Sequence, residues 1–113
     1  MEVVSYERLE PFTTKDGSTI REYIRSPAQS LAEATLVPGQ STRRHYHAFS
    51  EEIYLLVGGG GTMELDGEAR EVGEGDAILI PPGAWHELRA GPGGVRLLCC
   101  CVPAYSHDDT YFA

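Results

Sequence analysis

The chain is short of basic residues, of cysteine, of helical periodicity and of long apolar runs, and each shortage removes a class of function. Nine Lys and Arg stand against seventeen Asp and Glu, a formal charge of −8. A surface that acidic repels phosphate backbones and anionic headgroups, so neither nucleic acid nor a membrane is an expected partner. The longest apolar run, Leu97 to Val102, is six residues, against the roughly 20 that a spanning helix needs. Met1 to Glu10 carries three glutamates and no apolar centre, which is not the pattern of a secretory leader. Cysteine occurs only as Cys99, Cys100 and Cys101. Neighbours in a strand point to opposite faces and do not bridge easily, and an odd number leaves a free thiol. A reducing, cytoplasmic setting is therefore expected, with the three thiols acting as small buried apolar groups.

What remains is a globular composition, 42% apolar and 23% charged over 113 residues, which suits one compact domain and argues against disorder. No stretch of ten residues keeps a helical period. Short β-prone runs recur instead between turn signals: Asp16-Gly17, Pro38-Gly39, Asp66-Gly67, Gly75-Asp76, Pro81-Pro82-Gly83 and Gly91-Pro92-Gly93-Gly94. Turns at this spacing predict an all-β, antiparallel barrel or sandwich, with a hairpin at Asp66-Gly67. The run Gly58 to Gly61 lacks the Lys-Ser/Thr and helix of a phosphate loop and is read as a sharp bend between two strands.

Three of the four histidines are placed suggestively. His45 and His47 lie two apart, so in a strand they share a face. Glu52 follows after room for a turn at Ala48-Phe49-Ser50, and His86 comes just after Pro81-Pro82-Gly83. Singly, each histidine is more often structural than a ligand. Imidazoles with one carboxylate suit Fe, Mn, Ni, Co, Cu or Zn, and a six-coordinate ion would keep two positions open.

The spacing around them narrows the reading. Gly39, five residues, His45-x-His47, four residues, Glu52, six residues and Gly59 resembles the first motif of the cupins. Gly75, five residues, Pro81-x-Gly83, two residues and His86 resembles the second, and the fifteen residues from Gly60 to Glu74 match the short inter-motif loop of small single-domain cupins. The place where the second motif ends in Asn holds Ala90, a departure that removes no ligand. This resemblance implies an all-β jelly-roll barrel over 1–113, with N-terminal strands in 1–37, the metal-site motifs in 39–90 and the last strand and tail in 91–113. It also implies one divalent transition metal held by His45, His47, Glu52 and His86.

Strand parity adds residues around that site. Tyr54 shares the face of Glu52 and is expected beside the metal as an acid or base. Arg43 shares the face of His45 if the strand begins that early, and its guanidinium would then anchor a substrate carboxylate or phosphate. Arg44 and Tyr46 have the opposite parity and read as solvated and packing residues. In the last strand Cys99 and Cys101 should face inward, and Ser106-His107-Asp108-Asp109 reads as a solvated end. Ile53, Leu55 and Val57 lie opposite the ligand face, so something must cover the outside, and a homodimer is the natural cover. Two functions follow from the resemblance. One is a metal-dependent, dioxygenase-like enzyme acting on a small oxygen-rich molecule, with lyase or isomerase chemistry as variants. The other is a non-catalytic metal- or metabolite-binding module.

Overall fold

The computed structural model describes residues 1–14 and 16–113. Its strands are β1 (Phe12–Thr13), β2 (Thr19–Arg25), β3 (Ser30–Leu36), β4 (His45–His47), β5 (Glu51–Leu65), β6 (Glu68–Gly73), β7 (Ala77–Ile80), β8 (His86–Val102) and β9 (Thr110–Phe112). Two 3-10 turns, Tyr6–Arg8 and His107–Asp109, are the only helical pieces among the described residues. No helix there is long and apolar enough to cross a membrane.

All strand pairings are antiparallel, and they form one curled sheet built on β8. Along its whole length β8 pairs with β5 on one side. On the other side it meets β4 at His86 and β3 from Val95 to Cys101. β6 and β7 both pair with β5, and β9 pairs with β4. The predicted Asp66-Gly67 hairpin is present: Leu65 faces Glu68, and both turn residues take positive φ, 48° and 91°, as a type I′ turn requires.

Two expected breaks are not breaks. Gly58 to Gly61 was expected to separate two strands, and Gly91 to Gly94 to divide the last strand, yet both lie inside the long strands β5 and β8. The two glycine segments face each other, and register shifts fall between Leu56 and Gly58 and between Gly59 and Gly61. A Cβ on Gly59 would run into the Gly94 carbonyl, and one on Gly61 into the Arg89 carbonyl. Glycine here lets two backbones approach while the paired strands bend together, so the sheet curls without ending.

The curl encloses the inward faces. On β5, Glu52, Tyr54 and Leu56 are buried while Glu51, Ile53 and Leu55 are exposed, the two-residue period of a sheet with one covered face. Leu56, Ile80, Leu88 and Leu97 form the centre of the core. Ala90 is buried there and its amide donates to the Gln40 carbonyl, so the position needs no side-chain amide to be held.

Candidate metal centre

β4 supplies His45 and His47 from one face, and the cross-strand pair His45–His86 brings in the third imidazole from the start of β8. The ligand atoms of His45, His47 and His86 lie within 4.8 Å of one another, and all three residues are buried. Glu52, at the start of β5, stands at the edge of this cluster. Its Oε1 is 3.4 Å from His47 Nε2 and 3.6 Å from His86 Nε2. Two donors bound 2.1 Å from a tetrahedral centre would be about 3.4 Å apart, so this spacing fits a shared ion.

Each imidazole is oriented through its other nitrogen. His45 Nδ1 donates to the Arg43 carbonyl at 2.7 Å, and His86 Nδ1 to the Ala84 carbonyl at 2.9 Å. A carbonyl only accepts, so the proton sits on Nδ1 and the Nε2 lone pair is free. His47 Nδ1 lies 3.2 Å from Thr110 Oγ1. Glu52 Oε1 and His86 Nε2 are buried and have no hydrogen-bond partner among the described residues. Two bare acceptors facing each other out of water are unfavourable unless a cation lies between them. The donor set fits a borderline transition metal.

Electrostatics agree with this arrangement. Burial would raise the Glu52 carboxyl, but His47 and His86 outweigh it and bring it down to about 2. Burial, helped by His86, lowers His45 to about 4 and keeps it neutral. Burial also opposes charge on His47, but Glu52 more than offsets it and raises this imidazole. Tyr54, 5% exposed, has its ring 6.1 Å from that of His86. Burial first, then the Glu52 charge, push its phenol well above the ordinary value, so Tyr54 holds its proton.

The cluster opens into a cavity of about 70 Å³ whose lining includes His45, His47, Glu52 and Tyr54. Ile20, Ala34, Leu36, Leu88 and Leu97 make its far wall apolar. A larger depression of about 860 Å³ shares Phe12, Thr14, Glu22 and Tyr105 with it and leads to solvent.

Arg43 is a correction. β4 begins only at His45, so Arg43 lies outside the strand, where the parity argument does not hold. Its side chain is exposed, sits 4.6 Å over the Phe112 ring and donates to the Ala113 carbonyl. It does not line the cavity. Arg44 is less solvated than expected, pairing with Glu64 at 2.6 Å over Trp85. Tyr46 packs as expected, against Trp85 and Tyr111. Cys99 and Cys101 face the cavity as parity predicted, and burial holds both thiols well above their ordinary range.

The C-terminal segment is the second correction. Ser106, His107 and Asp108 are exposed as expected of a solvated end, but Asp109 is buried and the strand after it folds back over the site. Asp109, 7% exposed, accepts the backbone N–H groups of Ala48, Phe49 and Ser50, each at 3.0 Å. The carboxylate thereby fixes the turn that spaces His47 from Glu52. β9 then lays Thr110 against His47, with the Phe112 ring 5.8 Å from that of His45. The only sequence signal was an acidic residue among short polar ones, which marks turns in general.

The cupin domain profile matches residues 32–101, and the chain belongs to the cupin family. An uncharacterized protein of Methanocaldococcus jannaschii, MJ1618, is 45% identical over 93% of this chain and 89% of its own length. The 5-aminosalicylate 1,2-dioxygenase of Comamonas sp is 38% identical over 63% of this chain, but the match spans only 19% of that enzyme. Among solved structures, a Streptomyces PAC13 variant with uridine superposes with a TM-score of 0.86 at 22% identity, over 100% of this chain and 91% of its own. That last likeness concerns the fold alone.

Proposed function

We propose that this cupin is a metal-dependent enzyme for a small oxygen-rich organic molecule, with dioxygenase-like chemistry the favoured form. One observation carries the reading: Glu52 Oε1 and His86 Nε2 face each other in the protein interior with no hydrogen-bond partner among the described residues. His45, His47, Glu52 and His86 would hold one divalent ion, drawn from Fe, Mn, Ni, Co, Cu or Zn. Such an ion supplies Lewis acidity to a chelating substrate and, if it is iron, the oxygen chemistry of non-haem centres. The Comamonas dioxygenase supports the oxygenase form, and a dimethylsulfoniopropionate lyase of Ruegeria pomeroyi, 39% identical over 58% of this chain, keeps lyase chemistry in view.

The chain's own groups would divide the work. The apolar wall excludes water from the reacting end of the cavity. Tyr54, held protonated, would donate a hydrogen bond to a substrate oxygen. Arg43 is not assigned a role in the cavity. Protein purified without chelators should carry one transition metal per chain by elemental analysis, and an oxygen electrode should detect uptake with catechols, enediols or β-diketones. Tyr54→Phe should then lower kcat by about 10²–10⁴-fold with metal content intact. No metal uptake on addition of any of these ions overturns the reading. Stoichiometric metal with no turnover on a broad screen replaces it by a non-catalytic binding module.

We also propose a homodimer in a reducing, cytoplasmic setting, which suits three free thiols. Ile53, Leu55 and Leu79 are 45%, 39% and 55% exposed, and the register sets Ile53 beside Leu79. That contiguous apolar outer face suits a second copy. Light scattering should give twice the chain mass, and Leu55→Lys should give the monomer. A monomeric parent chain at micromolar concentration refutes the dimer.

A further inference from the structure

The two oxygens of Glu52 have different fates. Oε1 faces the histidines without a hydrogen-bond partner. Oε2 lies 3.3 Å from the sulfur of Cys101. A carboxylate only accepts, so the proton of this contact belongs to the thiol. The register explains why the two meet: Glu52 on β5 and Cys101 on β8 are direct cross-strand partners, and inward parity turns both side chains to the same face. Cys101 is 2% exposed and Glu52 5%, so water does not compete for Oε2. From the other side β3 places Ser30 opposite Cys101, and Ser30 Oγ is itself fixed by the Tyr105 amide at 2.8 Å. The sulfur is thus seated between two strands and not free to turn away.

Resting on the metal-site reading above, we propose that Cys101 is a positioning residue that occupies Glu52 Oε2 and leaves Oε1 as the single oxygen presented to the ion. A carboxylate whose second oxygen is taken binds through one atom in one orientation. Without the thiol, the side chain is free to turn both oxygens toward the ion or neither. The thiol acts through Glu52, so its effect is on the geometry and affinity of the ion. The adjacent Cys100 points to the opposite face of β8 and has no such contact among the described residues.

Cobalt(II) is the probe, because its visible absorption reports the number and geometry of ligands. The parent protein and the variants Cys101→Ser, Cys101→Val and Cys101→Ala are stripped of metal and titrated with Co²⁺ against a chelator of known affinity. The serine variant keeps an O–H donor, whereas the valine variant keeps bulk and removes the donor. Cys101→Val and Cys101→Ala should bind Co²⁺ about 10–100-fold more weakly, the range for loss of an outer partner of a metal ligand, with an altered visible spectrum. Cys101→Ser should stay within a few-fold of the parent and keep its spectrum. Parent-like affinity and spectrum in Cys101→Val or Cys101→Ala overturn the positioning role and leave the metal site standing. A serine variant as weak as the valine variant also overturns it, since a retained donor would then fail to hold the carboxylate. If the parent itself takes up no Co²⁺, the metal-site reading fails and takes this role with it. Cys101→Ala stands in for Cys101→Val should the latter not fold, so the serine comparison decides in either case.

Discussion

Two carboxylates are buried in this small sheet, and they are opposites in chemistry. Glu33 on β3 is fully buried, yet every part of it is answered: Arg96 at 2.6 Å, Arg21 at 3.4 Å and the Tyr6 hydroxyl at 3.4 Å. Glu52 is nearly as buried, and one of its oxygens has only two imidazoles before it and no donor. Glu33 lies on the outer face of the curl, where the N-terminal segment and two arginines cover it. Glu52 lies on the inner face at the end of a cavity. A buried charge that is already paired needs nothing else, whereas one left facing lone pairs is the kind that a cation would complete. Burial alone therefore does not mark a functional carboxylate, and the state of its partners does.

The sharpest way to break this comparison is to neutralise each carboxylate's surroundings in turn. His86→Ala and Glu52→Gln should each abolish stoichiometric metal retention, measured by elemental analysis after gel filtration. Both metal-free variants should fold, and neither should show the rise in Tm that metal gives the parent protein. Glu33 should behave the other way. Arg96→Ala should lower the midpoint of denaturant unfolding, since it removes a hydrogen-bonding partner from a buried acceptor, while metal affinity stays that of the parent.

Asp109 connects the two behaviours, being a fully answered carboxylate that serves the site. Asp109→Ala should cost about 1–3 kcal/mol and expose the amides of residues 48–50 to faster hydrogen exchange. It should also weaken metal binding, because the turn between His47 and Glu52 loses its clamp. Unchanged exchange at those amides would show that the turn holds itself.

The smallest effects concern single hydrogen bonds and protons. Thr110→Val should weaken metal affinity by about 10-fold, near the lower end for an outer partner of a ligand. In metal-free protein the Glu52 carboxyl, brought down to about 2 from 4.5, stabilises the fold fully above pH 4.5. That contribution is lost as pH falls from 4.5 toward 2. His45, lowered from 6.5 to about 4, has the same sign: its contribution is present above pH 6.5 and lost on the way down to 4. Urea unfolding across this range should therefore show falling stability, and Glu52→Gln should flatten the limb below pH 4.5. An unchanged limb in that variant would assign the acid loss to other carboxylates.

The convergence of the four side chains was legible because their spacing is local. Two strand residues on one face, a turn of set length and a proline-glycine stop leave few other shapes, and His45, His47, Glu52 and His86 do meet. Tyr54 was legible for the same reason, since parity along β5 follows from the chain's own pleat. Arg43 failed because parity holds only within a strand, and the start of β4 is set by its pairing with β8 and β9. The bend expected at Gly58 to Gly61 exists, but it lies inside β5 rather than between two strands, and Gly91 to Gly94 lies inside β8. Their meaning depends on each other: Gly59 and Gly61 are needed because Gly94 and Arg89 lie across from them.

By itself, then, the sequence determined the all-β class, the hairpin at Asp66-Gly67, the inward faces and the identity of the residues that gather at the site. These depend on torsions and on a two-residue period, both carried by neighbours in the chain. Only the tertiary structure decided which oxygen of Glu52 is free, that Cys101 holds the other, and that Asp109 and Thr110 return from the C-terminal segment to clamp the turn and His47. Those contacts join residues 49, 60 and 63 positions apart in the chain. No local periodicity spans such distances, so they exist only once the strands have paired and the sheet has curled.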